Sequence, residues 1–240
     1  MSFLLNSFRS FPASGGPPTF VGGTSGNFID GGGGTISLTG LTGGIASSPS
    51  TGDIVIVVIG CGSQSLRNIT CSYGTSIAAL QSDDSFDSSL TARYKIQTST
   101  PDTSINVSGT ANVTDSSGYC VHVWRNISSS SPLDVATTTA TGINTSDADP
   151  PAITPVTAGA IIIAMGTCGG GTQTAYTGPT TSFGRANFFS GWGADTEDGV
   201  AGIYAYTAWT SGAYNPPAFT GAGGTSTSAW CAATIALRPA

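Results

Sequence analysis

One run constrains this chain more than any other: "DIVIVVIG" (53–60). A half-buried strand alternates apolar and polar residues, because successive side chains point to opposite faces. This run is β-branched almost throughout and does not alternate, so it predicts a central strand covered on both faces. A chain built around it must bring a layer to each side.

Composition says what those layers are made of. Glycine occurs 34 times and charged residues make up 8%, against roughly 25% in an ordinary soluble domain. Lys95 is the only lysine and Glu197 the only glutamate. Gly, Ser and Thr disfavour helices, and β-branched residues favour strands. At 39% hydrophobic content the chain has material for a core, which a disordered polar chain lacks. Further strands are predicted at "TISLTGL" (35–41), "SLTARYKIQTS" (89–99), "SINVSG" (104–109), "YCVHVWRN" (119–126), "AIIIAMG" (160–166), "RANFFSGWG" (185–193), "GIYAYTAWTS" (202–211), "PPAFTG" (216–221) and "SAWCAATIALRP" (228–239). In 89–99, Leu90, Ala92, Tyr94 and Ile96 share one face, and Thr91, Arg93, Lys95 and Gln97 the other.

The two halves match. "YKIQTSTPDTSINVSG" (94–109) lies without a gap over "YTAWTSGAYNPPAFTG" (206–221), Tyr119-Cys120 over Trp230-Cys231, and 53–62 over 160–169. The offset of about 110 residues exceeds the 20–50 of stacking repeats. It predicts an all-β, antiparallel, jelly-roll-like β-sandwich of two pseudo-symmetric halves, 35–140 and 141–240. The stretch 1–34, with "PASGGPP" and "IDGGGG", reads as an irregular docking arm and linker, within which Phe20, Val21, Phe28 and Ile29 could pack or form a short strand.

The opening "MSFLLNSFRSF" is not a secretion signal, since Asn6 ends the apolar run and Arg9 comes too late. It reads as a short adhesive segment, with Phe3, Leu4, Leu5, Phe8 and Phe11 as anchors and Arg9 to pair with an acid on a partner. The net charge of −6 and scattered basic residues argue against nucleic acid. No apolar run reaches the ~20 residues of a spanning helix, so no membrane insertion is expected.

Catalytic signals are weak. His122 is the only histidine and sits within a strand pattern, where it reads as a packed histidine. Acids cluster at Asp83, Asp84 and Asp87, at Asp147 and Asp149, and at Asp195, Glu197 and Asp198. Paired carboxylates can cleave glycosides or hold Ca²⁺, with "QSDDSFD" (81–87) the densest candidate, but turn-capping loop acids account for all three. The glycine-rich "GCGS" and "TCGGGTQT" lack the lysine of a phosphate loop. Five cysteines without C-x-x-C spacing read as reduced. No catalytic residue, cofactor or metal ligand is assigned. Among the aromatics, Trp124, Trp209 and Trp230 read as core, and Trp192 in "GWG" with Tyr214 in "GAYNPP" as a recognition surface.

"GYCVHVWRN" (118–126), "PLDVATTTATG" (132–142), "PPAITPVTAGAIIIAMG" (150–166), "WTSGAYNPPAFTG" (209–221) and the closing "SAWCAATIALRP" resemble a group of small structural proteins of tailed bacteriophages and prophages. The resemblance implies a virion component, assembled in the bacterial cytoplasm and partnered by capsid or by tail and fibre subunits. Decoration or a head or tail fibre are the roles it suggests, with a homo-oligomer expected and a trimer favoured. A lectin-like module that recognises host surface glycans is the alternative. An enzyme acting through the loop carboxylates is the third reading.

Overall fold

The computed structural model describes residues 15–28, 33–62, 71–84, 87–109, 115–143, 145–170, 174–179, 186–193, 197–223 and 228–240. Its elements are all strands: β1 (Thr19–Phe28), β2 (Gly34–Ser37), β3 (Ile54–Cys61), β4 (Thr75–Ser82), β5 (Ser88–Ile96), β6 (Ser104–Val107), β7 (Asp115–Arg125), β8 (Thr138–Gly142), β9 (Ile161–Gly170), β10 (Gly178–Pro179), β11 (Ala186–Trp192), β12 (Glu197–Tyr206), β13 (Phe219–Thr220) and β14 (Trp230–Leu237).

The run that opened the sequence is β3. It pairs antiparallel with β5 on one side and β7 on the other. β4 extends β5, and β1 extends β7, so the first sheet is ordered β1-β7-β3-β5-β4. In the second sheet β9 takes the central place between β12 and β14, and β11 and β8 form the edges. The order β8-β14-β9-β12-β11 repeats that of the first sheet strand for strand. The sequence overlay does the same: 53–62 over 160–169 puts β3 on β9, Cys120 over Cys231 puts β7 on β14, and Tyr94 over Tyr206 puts β5 on β12. Each half therefore supplies one whole sheet. Strands do not interleave between sheets as two Greek keys would, so the antiparallel sandwich lacks jelly-roll order. The second sheet also takes its first strand from Thr138, slightly before the expected division at 140/141. At one corner Glu197 and Asp198 of β12 pair parallel with Asp115 and Ser116 of β7, joining the sheets.

Packing explains why β3 and β9 are buried at every position. Ile54, Ile56 and Val58 point inward against Ile161, Ile163, Met165, Ile203 and Ile235 of the other sheet. Val55, Val57 and Ile59 point outward and are covered by Ile36 and Leu38 and by Ile105 and Val107 of the β2–β6 ribbon. On the far side Phe219, Tyr176 and Ala148 cover Ala164, Cys168 and Tyr204, and Ile153 and Trp209 cover Ile162. The result is four layers: ribbon, sheet, sheet, cover. Each Ile or Val so enclosed stabilises the fold by about 1.5–3 kcal/mol. The inward face of β5 holds Leu90, Ala92, Tyr94 and Ile96, as its alternation predicts. All five cysteines are buried, and none is in a disulfide.

One expectation is corrected. Residues 19–28 are not linker: β1 runs along β7 from Thr19↔Arg125 to Phe28↔Ser117. Phe20 and Val21 are buried in two different cores. The glycine-rich stretches on either side hid the strand's length, and the glycines within it serve close approach. A side chain on Gly23 would overlap the Phe189 ring across the sandwich.

The edges are blunted against further pairing. β1, β4 and β11 each carry a register irregularity, and β8 is short.

Candidate functional site

β3 and β9 run in the same direction, so the sandwich has two distinct ends. At one end lie Asp53, Arg125, Asp134 and Arg238, the last two beyond the strands they follow or precede. Gly15 is there too, its Cβ position 3.1 Å from Ala240. The Asn126 side-chain amide donates to Pro17 O at 3.0 Å, and Ala240 N–H to Asn126 O at 3.0 Å. At the other end lie Asp83, Asp84 and Asp87, the start of β7 at Asp115, and Trp192.

Two buried carboxylates organise the first end. Asp53 takes a two-pronged bond from Arg125, Nε to Oδ1 at 2.8 Å and Nη2 to Oδ2 at 2.9 Å, and Ser50 N–H donates to Oδ2 at 2.8 Å. Asp134 accepts from Arg238 Nε at 3.0 Å, from Val156 N–H at 2.6 Å, from Thr157 N–H at 2.9 Å and from the Thr157 hydroxyl. Burial alone would raise the Asp134 carboxyl, but the bonds from Thr157, Val156 and Arg238 outweigh it and hold it low. The two arrangements are counterparts. Each arginine stands at the end of an equivalent strand, Arg125 as the last residue of β7 and Arg238 just after β14, and each aspartate pins the turn that leads into a central strand, β3 or β9. These are structural bonds, aimed inward.

His122 lies in the inter-sheet core, fully buried, with Phe20, Phe189 and Trp124 rings at 5.1, 5.6 and 6.3 Å. Its Nε2 is 2.6 Å from Asn187 O, to which it donates, and Nδ1 has no partner among the described residues. Burial lowers its pKa to about 3. An unfolded histidine titrates near 6.5. The unfolded chain therefore binds a proton first as pH falls, and the stabilising contribution is complete above about 6.5 and lost on the way down to 3. Urea titrations are expected to show a loss of about 2–3 kcal/mol between pH 6.5 and 4.5, at 1.4 kcal/mol per unit. His122→Gln should lose most of that slope; an unchanged slope would assign it to other groups.

The acidic loops act on themselves. Asp83 accepts from Gln81 Nε2 at 2.6 Å, and Asp87 from Asp84 N–H at 3.0 Å. Among the described residues no group of three or more His, Cys, Asp or Glu is placed to hold a metal ion. Asp195 lies outside those residues.

No family model, curated protein or solved structure matches this chain.

The sequence-predicted site residues separate into three groups. Phe3, Leu4, Leu5, Phe8, Arg9 and Phe11 lie outside the described residues. Trp192, 40% exposed, pairs with Val200 near the start of β12. Tyr214 stacks on Tyr206 at the end of β12, centroids 4.1 Å apart and planes at 8°. Val200 and Tyr206 are six residues apart along one strand, roughly 20 Å, so Trp192 and Tyr214 do not share a surface. Trp124 and Trp209 are buried, as expected of core, and Trp230 packs half-buried against the second sheet's outer core. One feature went unread in the sequence: a cleft of about 230 Å³ on the outer side of the first sheet, lined by Tyr73, Lys95, Asp102 and Asn106 among others. Its residues come from a loop, a strand, a turn and the covering ribbon, and no spacing links them.

Proposed function

We propose that this chain is a bacteriophage virion structural protein, a capsid-decoration or head or tail fibre module docked through its first residues. The observation that carries the reading is the way the segment 1–14 joins the sandwich. It meets the fold at Gly15, at the end shared with Ala240 and away from Trp192 and the acidic loops. A segment with five large apolar residues and one arginine attached at one end suits a tether, and the opposite end then faces outward. The outer faces of β3, β7 and β9 are covered and the sheet edges blunted, which suits a chain that associates through an added segment rather than through its strands. Symmetric oligomers are the usual state of such modules.

Mass spectrometry of purified particles tests this reading. The chain is expected among the virion proteins at a copy number that follows capsid or tail symmetry. Its absence from particles, with the chain abundant in the infected cell, would overturn the proposal. Host-glycan recognition through Trp192 and Tyr214 together is the weaker reading, because those residues stand at opposite ends of β12.

A further inference from the structure

We propose that the cleft beside Lys95 binds one neutral sugar residue, independently of where the chain is mounted. The β2–β6 ribbon covers the outer face of β3 and β7 but not that of β5. The step at its edge is the cleft, lined by Tyr73, Gly74, Lys95, Asp102, Ser104 and Asn106. At about 230 Å³ it is smaller than the ~300–1,000 Å³ of drug-sized pockets and suits a single ring.

The walls are fixed in place. Gln97 is 2% exposed. Its Nε2 donates to the Tyr73 hydroxyl at 2.8 Å, and its Oε1 accepts from Asp102 N–H at 2.7 Å. Arg93 donates to Tyr73 O at 2.8 Å and to Gly74 O at 2.7 Å, pinning the loop from the other side. Tyr73 and Asp102 are thus held by bonds with Gln97 and Arg93 that are already made without a ligand, so ordering them costs a ligand little.

The chemistry of the wall selects the ligand. Lys95 Nζ meets Asp102 Oδ2 at 2.7 Å and lies 5.4 Å from the Tyr73 ring centre. The cation and the carboxylate neutralise each other, which leaves no net charge to attract an anion, and the chain's charge of −6 repels one. What remains is a dense set of donors and acceptors. The ammonium has three protons, the carboxylate accepts, and Asn106, whose Oδ1 accepts from Thr35 at 3.3 Å, keeps its NH₂ as a donor. Vicinal hydroxyls, each both donor and acceptor, match such a wall.

The fold does not require this cleft. In the other half, Trp209 stands at the place of Gln97 and Tyr214 at the place of Asp102. There the indole donates to Gly212 O at 3.0 Å, and Tyr214 stacks on Tyr206. In the sequence overlay, aromatic residues thus stand in the second half where the first half has polar ones.

Amide NMR on the full chain tests the proposal. The probes are methyl pyranosides of glucose, galactose, mannose and N-acetylglucosamine, with the matching free sugars, glucuronate and inorganic phosphate alongside. At least one neutral probe is expected to shift the amides of Gly74, Lys95, Asp102 and Asn106, saturably, with glucuronate and phosphate weaker. Preference for the glycoside marks a glycan end, and preference for the free sugar a small metabolite; either supports the site. Asn106→Ala and Lys95→Met should each weaken binding roughly 3–10-fold while amides of β9 and β14 stay in place. No shift at these four amides for any neutral probe, or tighter binding of phosphate or glucuronate, overturns it.

Discussion

Asp134→Ala is expected to lower the stability of the sandwich by about 3–5 kcal/mol. The carboxylate is fully buried and serves four donors at once, from Arg238, Val156 and twice from Thr157. Removing it leaves two backbone N–H groups and a hydroxyl without partners and a guanidinium without its counter-charge. Unpaired buried donors cost more than the bonds were worth. It also frees the turn that leads into β9, the centre of the second sheet. The converse change should be much milder. The Arg238 side chain is 34% exposed, so Arg238→Met leaves Asp134 with its three other bonds and costs about 1 kcal/mol. Urea denaturation at pH 7 of the two variants measures the asymmetry. Equal losses would mean that the ion pair, rather than the pinned turn, is what matters.

Phe20→Ala is expected to cost about 3–5 kcal/mol, although its sequence neighbourhood reads as linker. The ring is 8% exposed and meets His122 and Trp124 at 5.1 Å and Phe189 at 6.2 Å. It therefore joins three strands: its own, its neighbour β7, and β11 of the opposite sheet. A cavity there has aromatic walls that cannot collapse onto it. Deleting residues 1–34 should then unfold the protein, since it removes β1. A near-native thermal midpoint for that deletion would contradict the packing assigned to β1.

These two residues mark how far sequence reasoning reached. The centre was legible: a β-branched run without alternation has only one place in a sandwich, and 53–60 and 160–166 occupy it in both sheets. The repeat was legible too, because the overlay places β5 on β12 and β7 on β14, although Tyr94 faces the inter-sheet core and Tyr206 the outer cover. β1 was legible only in part: Phe20, Val21 and Phe28 could pack or form a short strand, but nothing in the sequence extends it to the ten residues that run along β7. β4 was not legible, since its exposed Thr75, Ser76 and Ala79 give an edge strand little apolar signal. The Asp134 turn was hidden for a different reason. Its partners lie 22 to 104 residues away, and only the fold brings them together. The polar face of β5 that carries Arg93, Lys95 and Gln97 was visible, but Tyr73 and Asp102, which turn that face into a cleft, arrive through loops.

Docking through residues 1–14, as proposed, is tested by co-sedimentation, with particles assembled without this chain and then supplied with either the full chain or residues 15–240. Both forms are expected to fold, and only the full chain to sediment with particles. Equal occupancy by residues 15–240 would rule out docking through the first segment.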